Sequence, residues 1–248
     1  MNDEQFPNWP PPDPDWRPHP PREDARTVRF ETGPMFVTRF IIAVNAAVFI
    51  WTLVGAGGLS GSFGGSTITR HQYDIGLARV FIENGEWWRI VTSAFLHFGI
   101  LHIGMNMLLL WQLGQMLEPA IGGPRFALLY FAAMFGGAAG VIVVGGEGLT
   151  GGASGAVFGL MAAAAVGLNQ RGINPMRTGV GATLVLNLLI TFAIPGVSIG
   201  GHLGGALMGA AVGYAMLEPR WQRTMAAITW IAPVVGMVVS IAIIRAVV

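Results

Sequence analysis

The sequence predicts an all-α fold, a polytopic membrane helix bundle with seven spans. Three observations carry that expectation. The 248 residues are 53% hydrophobic and only 11% charged, where a soluble domain carries about a quarter charged residues. Mean hydropathy is +0.58. Apolar runs of about 16–24 residues, the length needed to cross hydrocarbon as helix, recur seven times along the chain.

Residues 1–35 have a different composition. They hold more than half of the 15 prolines, together with acids, arginines and few aliphatics. Such a segment buries too little apolar surface to offset its ordering entropy, so a disordered, Pro-rich cytoplasmic tail is expected. It lacks the short apolar stretch and small-residue cleavage site of a signal peptide. The first span is expected at 36–57. The connection 58–93 is long where the others are short. Its Trp87-Trp88-Arg89 cluster suits an aromatic and basic interfacial anchor, and its length suits a lid or membrane-embedded platform. The remaining spans are expected at 94–117, 125–145, 154–169, 179–197, 200–217 and 225–247. The fourth is short and rich in glycine and alanine, so other helices should enclose it. The breaks carry turn chemistry: Pro119 to Pro124, Asn169 to Pro175, Pro195-Gly196 and Glu218-Pro219-Arg220.

Arginine placement sets the expected topology. With the N-terminus inside, cytoplasmic segments receive Arg17, Arg22, Arg26, Arg29, Arg39, Arg125, Arg171, Arg177, Arg220 and Arg223. The outside receives Arg70, Arg79, Arg89 and Arg245. That imbalance predicts an N-terminus in the cytoplasm and a C-terminus outside. Ser154 then starts the fourth span at its outer end, and His202 sits near the outer end of the sixth.

Several function classes are excluded. The absence of cysteine removes disulfides and thiolate metal sites. A net charge of +1 with no basic stripe argues against a nucleic-acid partner. Acidic residues fall in the tail, loops and span ends (Glu86, Glu118, Glu147, Glu218), so an aspartyl intramembrane protease lacks its two aspartates. The His-Glu-x-x-His zinc motif is missing, and the glycine-rich stretch 145–155 lacks the lysine of a phosphate loop. A transporter would show paired inverted repeats with broken helices carrying ion ligands, and no such pairing is visible.

What remains is a polar constellation at one depth. Ser154 and His202 stand in Gly-Gly-Ala-Ser-Gly at 151–155 and Gly-Gly-His-Leu-Gly-Gly at 200–205. A charge inside a membrane segment costs ~2.5–3.5 kcal/mol on insertion scales, so ionisable residues there usually mark function. A serine with a histidine suggests a nucleophile and its base. His102 and Asn106, four residues apart, share a helix face, and His97 lies above them toward the outer surface. Ser154 at a helix start would have unpaired backbone N–H groups beside it to hold an oxyanion. Taken alone, Ser154 reads as a helix N-cap and His202 as a hydrogen-bonded packing residue; their coincidence in depth with His102 and Asn106 favours chemistry. The acidic residues are poorly placed to orient His202, which suggests a dyad, with Glu147 the one exception. Three histidines could bind a metal, but Ser154 would then be idle. Gly201, Gly205, Gly209 and Gly213 form a stripe that matches Gly155, Gly159 and Ala163. Pressing the two together would bring Ser154 toward His202. At Gly205 or Gly209 an alanine should be tolerated, whereas a valine or leucine should push the sixth span away from the fourth.

Together these residues resemble the rhomboid family of intramembrane serine proteases. The carrying pieces are Trp88-Arg89, His97-x4-His102-x3-Asn106, Gly152-Ala153-Ser154-Gly155 and His202-Leu-Gly-Gly205. The resemblance covers 36 to about 217, a rhomboid-like six-helix core, with 218–248 as a C-terminal seventh span. It implies Ser154 as nucleophile and His202 as general base and acid. It implies an oxyanion hole of His102, Asn106 and the Ser154 N–H, with Gly152 shaping the loop and His97 supporting. Glu118 matches a family glutamate that ties down the inner end of the second span. Phe158 stands where relatives often carry tyrosine, and it can still pack against His202. The implied activity is hydrolysis of peptide bonds in or near transmembrane segments of other proteins, without cofactor or metal. The expected partners are transmembrane protein substrates and the lipid bilayer, and the expected location is the bacterial plasma membrane. A non-catalytic relative that escorts membrane clients is the alternative, and retention of both Ser154 and His202 argues against it.

Overall fold

The computed structural model describes residues 34–55, 68–145, 148–219 and 225–248. Nearly all of the expected tail, residues 58–67 of the long connection, Glu147, Arg220 and Arg223 lie outside the described residues. Among the described residues the chain is helical. The helices are α1 (Phe36–Gly55), α2 (Arg70–Ile75), α3 (Arg79–Glu83), α4 (Arg89–Thr92), α5 (Ile100–Ile121), α6 (Gly123–Val144), α7 (Ser154–Gln170), α8 (Val180–Ala193), α9 (Ile199–Leu217) and α10 (Ile228–Val247).

Seven of these correspond to the expected spans, with informative shifts. Four helices (α1, α5, α6, α10) are long and apolar enough to cross a membrane by themselves. The second span begins at Ile100, not at 94, because residues 93–95 form a separate 3-10 turn and Leu96 is extended. His97 therefore precedes the helix. The helix also runs through Pro119, which was expected to break it, and stops at Gly122 with φ +83°. The stop uses glycine's access to positive φ. α8 is shorter than the expected 179–197. Its 14 residues span about 21 Å, and it ends at Ala193 because Ile194, one residue before Pro195, is held extended at ψ 116°.

The buried face of α1 carries polar residues. On α1 the buried positions Thr38, Ile41, Asn45, Phe49 and Thr52 repeat at helical spacing, while Phe36, Phe40, Ile50 and Val54 are exposed. Two buried donors are satisfied within the helix: Asn45 Nδ2 donates to Ile41 O (2.8 Å) and Thr52 Oγ1 to Phe49 O (2.8 Å). Buried polar atoms need such partners wherever water is absent. Glu118 on α5 accepts from the Val37 N–H (2.9 Å), the Thr38 N–H (2.8 Å) and the Thr38 hydroxyl (2.5 Å), which ties the start of α1 to the end of α5.

α9 is the centre of the bundle and is held by glycine on two faces. A Cβ on Gly205 would strike the Gly155 carbonyl of α7, one on Gly209 would strike Gly159, and one on Gly213 would stand 2.6 Å from Ala163. The spacing of the two stripes had predicted this contact. A second seam was not foreseen. Gly200 and Gly204 of α9 press on the carbonyls of Gly140 and Gly136 of α6. Without a hydrophobic force between helices in lipid, close backbone approach of this kind supplies the dispersion that holds them.

Candidate active site

The connection before α5 forms a collar over one end of the bundle. Leu77 and Thr150 exchange both backbone hydrogen bonds at 2.8 Å in a single antiparallel bridge. The Gly152 N–H donates to Ser93 O at 2.8 Å. Arg89 is the knot of the collar. Its Nε donates to Glu86 (2.7 Å), its Nη1 to the carbonyls of Tyr73 (2.6 Å) and Gly76 (2.9 Å), and its guanidinium lies 3.8 Å over the Phe81 ring. Arg89 is 5% exposed, whereas Trp88 is 57% exposed. Trp88 is therefore free to serve as the expected interfacial anchor, whereas the expectation is corrected for Arg89, which is consumed by its own loop.

The collar fixes the segment that carries Ser154. Ala153 occupies the N-cap of α7 without a side-chain cap bond, so Ser154 is the first helical residue and not a capping serine. Its N–H belongs to the first turn, where backbone donors have no intrahelical acceptor. Gly152 holds φ at +134°, and a Cβ there would stand 2.8 Å from His102 Nε2 and 3.6 Å from Ser154 Oγ. Those two atoms thus flank one glycine. The Phe98 N–H points at His102 Nδ1 at 3.5 Å. A neutral imidazole accepting at Nδ1 carries its proton on Nε2, so His102 offers a donor beside Ser154.

His202 enters from α9. Across the α7–α9 seam a Cβ on Gly155 would stand 3.2 Å from Gly201 O, and these two glycines directly adjoin Ser154 and His202 in the chain. The His202 ring stacks on Phe158 with centroids 4.1 Å apart and 17° between planes. Its Nδ1 lies 2.7 Å from Thr191 Oγ1 on α8. Ser154, His202, His102, Asn106 and Gly152 all line one cavity of about 1150 Å³, which reaches between α5 and α8.

Two candidates sit differently from the sequence reading. Asn106 Nδ2 donates one bond to the His102 carbonyl of its own helix at 2.9 Å, so part of its donor capacity is already used. His97 is wholly buried behind His102, edge to face at 4.9 Å, with its Nδ1 3.3 Å from Phe95 O. It backs the site without lining it. Sequence reasoning missed Thr191, Ser93 and Thr150. Their partners are fixed by a collar and a short helix that no periodicity announces.

Fold and cavity define an integral multi-pass membrane protein whose helices line a largely apolar cavity that carries a few polar side chains. The Rhomboid domain model matches residues 84–219, and the chain belongs to the rhomboid family. It is 32% identical over 215 residues to rhomboid protease GluP of Bacillus subtilis, covering 84% of this chain and 41% of that protein. It is 34% identical over 149 residues to RHOMBOID-like protein 5 of Arabidopsis thaliana, covering 57% and 48%. To rhomboid protease GlpG of Serratia proteamaculans it is 46% identical over 77 residues, covering 31% and 27%. The chain spans less than half the length of each of these relatives.

Proposed function

We propose that this chain is an intramembrane serine endopeptidase that hydrolyses peptide bonds in or near transmembrane segments of other membrane proteins. The observation that carries the reading is the convergence of Ser154, His202 and His102 on one cavity at the collar end of the bundle. His202 takes the Ser154 proton as general base while Ser154 Oγ attacks the peptide carbonyl. The developing oxyanion is met by the Ser154 N–H at the helix start and by His102 Nε2–H, with Asn106 contributing its remaining donor. His202 then passes the proton to the leaving amine, and water repeats the sequence on the acyl-enzyme. His97 supports His102 from behind. Relatives named as rhomboid proteases support the same reading.

The chain divides into a Pro-rich tail at 1–35, the catalytic core at 36–217 and the seventh span at 218–248. Its N-terminus faces the cytoplasm of a bacterial plasma membrane and its C-terminus the outside.

The decisive experiment is labelling of the purified protein in detergent with a serine-directed fluorophosphonate, beside cleavage of a model transmembrane substrate. Wild type should react in both assays. Ser154→Ala should lose both, and His202→Ala should lose cleavage, while the two variants keep the wild-type unfolding temperature. Turnover by either variant would remove the dyad and leave a client-binding protein as the reading.

A further inference from the structure

We propose that Thr191, on α8, is a positioning residue that holds His202 in the tautomer a base requires. The inference rests on the reading of His202 as the base. It begins from where Thr191 lies. α8 turns Val185, Leu186, Leu189 and Phe192 outward, and Thr191, 2% exposed, is buried against the site.

Two short contacts meet at its hydroxyl. Thr191 Oγ1 is 2.7 Å from the Asn187 carbonyl oxygen and 2.7 Å from His202 Nδ1. A hydroxyl has one proton to give and two lone pairs. The carbonyl oxygen only accepts, so the hydroxyl proton lies toward Asn187. The second contact then needs its proton from the histidine. His202 Nδ1–H donates to Thr191, and the neutral ring keeps its lone pair on Nε2.

That arrangement matters because a ring bonded at Nδ1 can take the serine proton only at Nε2. Phe158 fixes the face of the ring, and Thr191 fixes its edge. When the ring gains a proton, Nδ1–H remains directed at Thr191 and the bond becomes charge-assisted, which strengthens it as charge develops. A carboxylate does this work in a serine–histidine–aspartate triad. Here a hydroxyl does it, without burying an anion among apolar helices. A single neutral hydrogen bond contributes far less than a buried charge, so the expected effect is about tenfold in rate.

The test compares Thr191→Val, which keeps the shape and removes the acceptor, with Thr191→Ser, which restores it. Cleavage of a transmembrane substrate gives kcat and KM. Nitrogen-15 shifts of histidine-labelled protein report the tautomer, with the His202 signals assigned by their loss in His202→Asn. Wild-type His202 is expected to carry its neutral proton on Nδ1. Thr191→Val should move population to Nε2–H and lower kcat about tenfold with KM unchanged, and Thr191→Ser should retain both wild-type values. A packing role would change KM and unfolding temperature instead, and serine would not rescue it. Wild type protonated at Nε2, or a Thr191→Val protein with unchanged kcat, overturns the proposal. If His202→Ala cleaves normally, the base assignment fails while the tautomer signature still reads the Thr191–His202 bond, so the two failures are separable.

Discussion

At the scale of single residues, Gly152 shows how tightly the site is drawn. Its φ of +134° is costly for any residue with a Cβ, and the missing atom would press on His102 Nε2 at 2.8 Å. Gly152→Ala is therefore expected to displace the His102 ring and lose most cleavage while the bundle still unfolds near the wild-type temperature. His102→Ala removes one oxyanion donor and should cost ~10²–10³ in kcat with fluorophosphonate labelling retained. Asn106→Ala should cost less than His102→Ala, because one amide proton is already bound to the His102 carbonyl. Equal, wild-type rates for both variants would make them packing groups. Ser154, His202, His102, Asn106 and Gly152 stood out in the sequence by their neighbours along the chain, and all five line one cavity. Arg89 was legible as a residue and not as a role. Whether an arginine faces lipid or is buried depends on its partners. Those partners are Glu86 and the carbonyls of Tyr73 and Gly76, gathered from an irregular stretch whose folding leaves no periodic trace.

Among the elements, the helix seams set a steric threshold lower than the spacing suggested. Alanine had been expected to fit in the Gly205 stripe. The first side-chain atom at Gly205 already meets the Gly155 carbonyl, and at Gly209 it meets the Gly159 backbone. Backbone cannot swing aside as a side chain can, so α9 must retreat from α7. A shift of about 1 Å at reacting groups is enough to cost ~10²-fold. Gly205→Ala should therefore lose cleavage and fluorophosphonate labelling in parallel, measured beside unfolding in detergent. Normal labelling in the folded variant would show that the seam does not set the distance between Ser154 and His202. The stripe on 201–213 was visible because its partner, 155–163, carries the same four-residue spacing. The seam between Gly136 or Gly140 and Gly200 or Gly204 lies about 100° round α9 from the first stripe, one residue out of step with it. α8 was overestimated for another reason. Its apolar run continues past Ala193, but Pro195 ends the helix before the hydrophobicity ends.

Across the whole molecule, hydropathy located the helices but could not say how they turn. α1 reads as an apolar run, yet Thr38, Asn45 and Thr52 point inward while Phe36, Phe40 and Trp51 point outward. In lipid the polar face is the one that must find protein. The structure also relates the two ends of the chain. Glu118 binds the first turn of α1 to the last turn of α5. At the opposite end, the Arg79 guanidinium reaches the Val247 carbonyl and Arg245 lies 5.6 Å over Trp87 of the collar. The end of α10 therefore shares a side with Ser154, and the start of α1 does not. Under the proposed orientation, which follows the arginine distribution, that shared side is the exterior. The chain has no native cysteine, so an introduced one reports without background. Val248→Cys should react with a membrane-impermeant maleimide on intact cells, and Pro34→Cys should react only after the membrane is opened. The reverse pattern would keep the fold and place the mouth of the site in the cytoplasm. Reaction of both from one side would contradict the proposed topology, in which seven crossings put the two positions across the bilayer from each other.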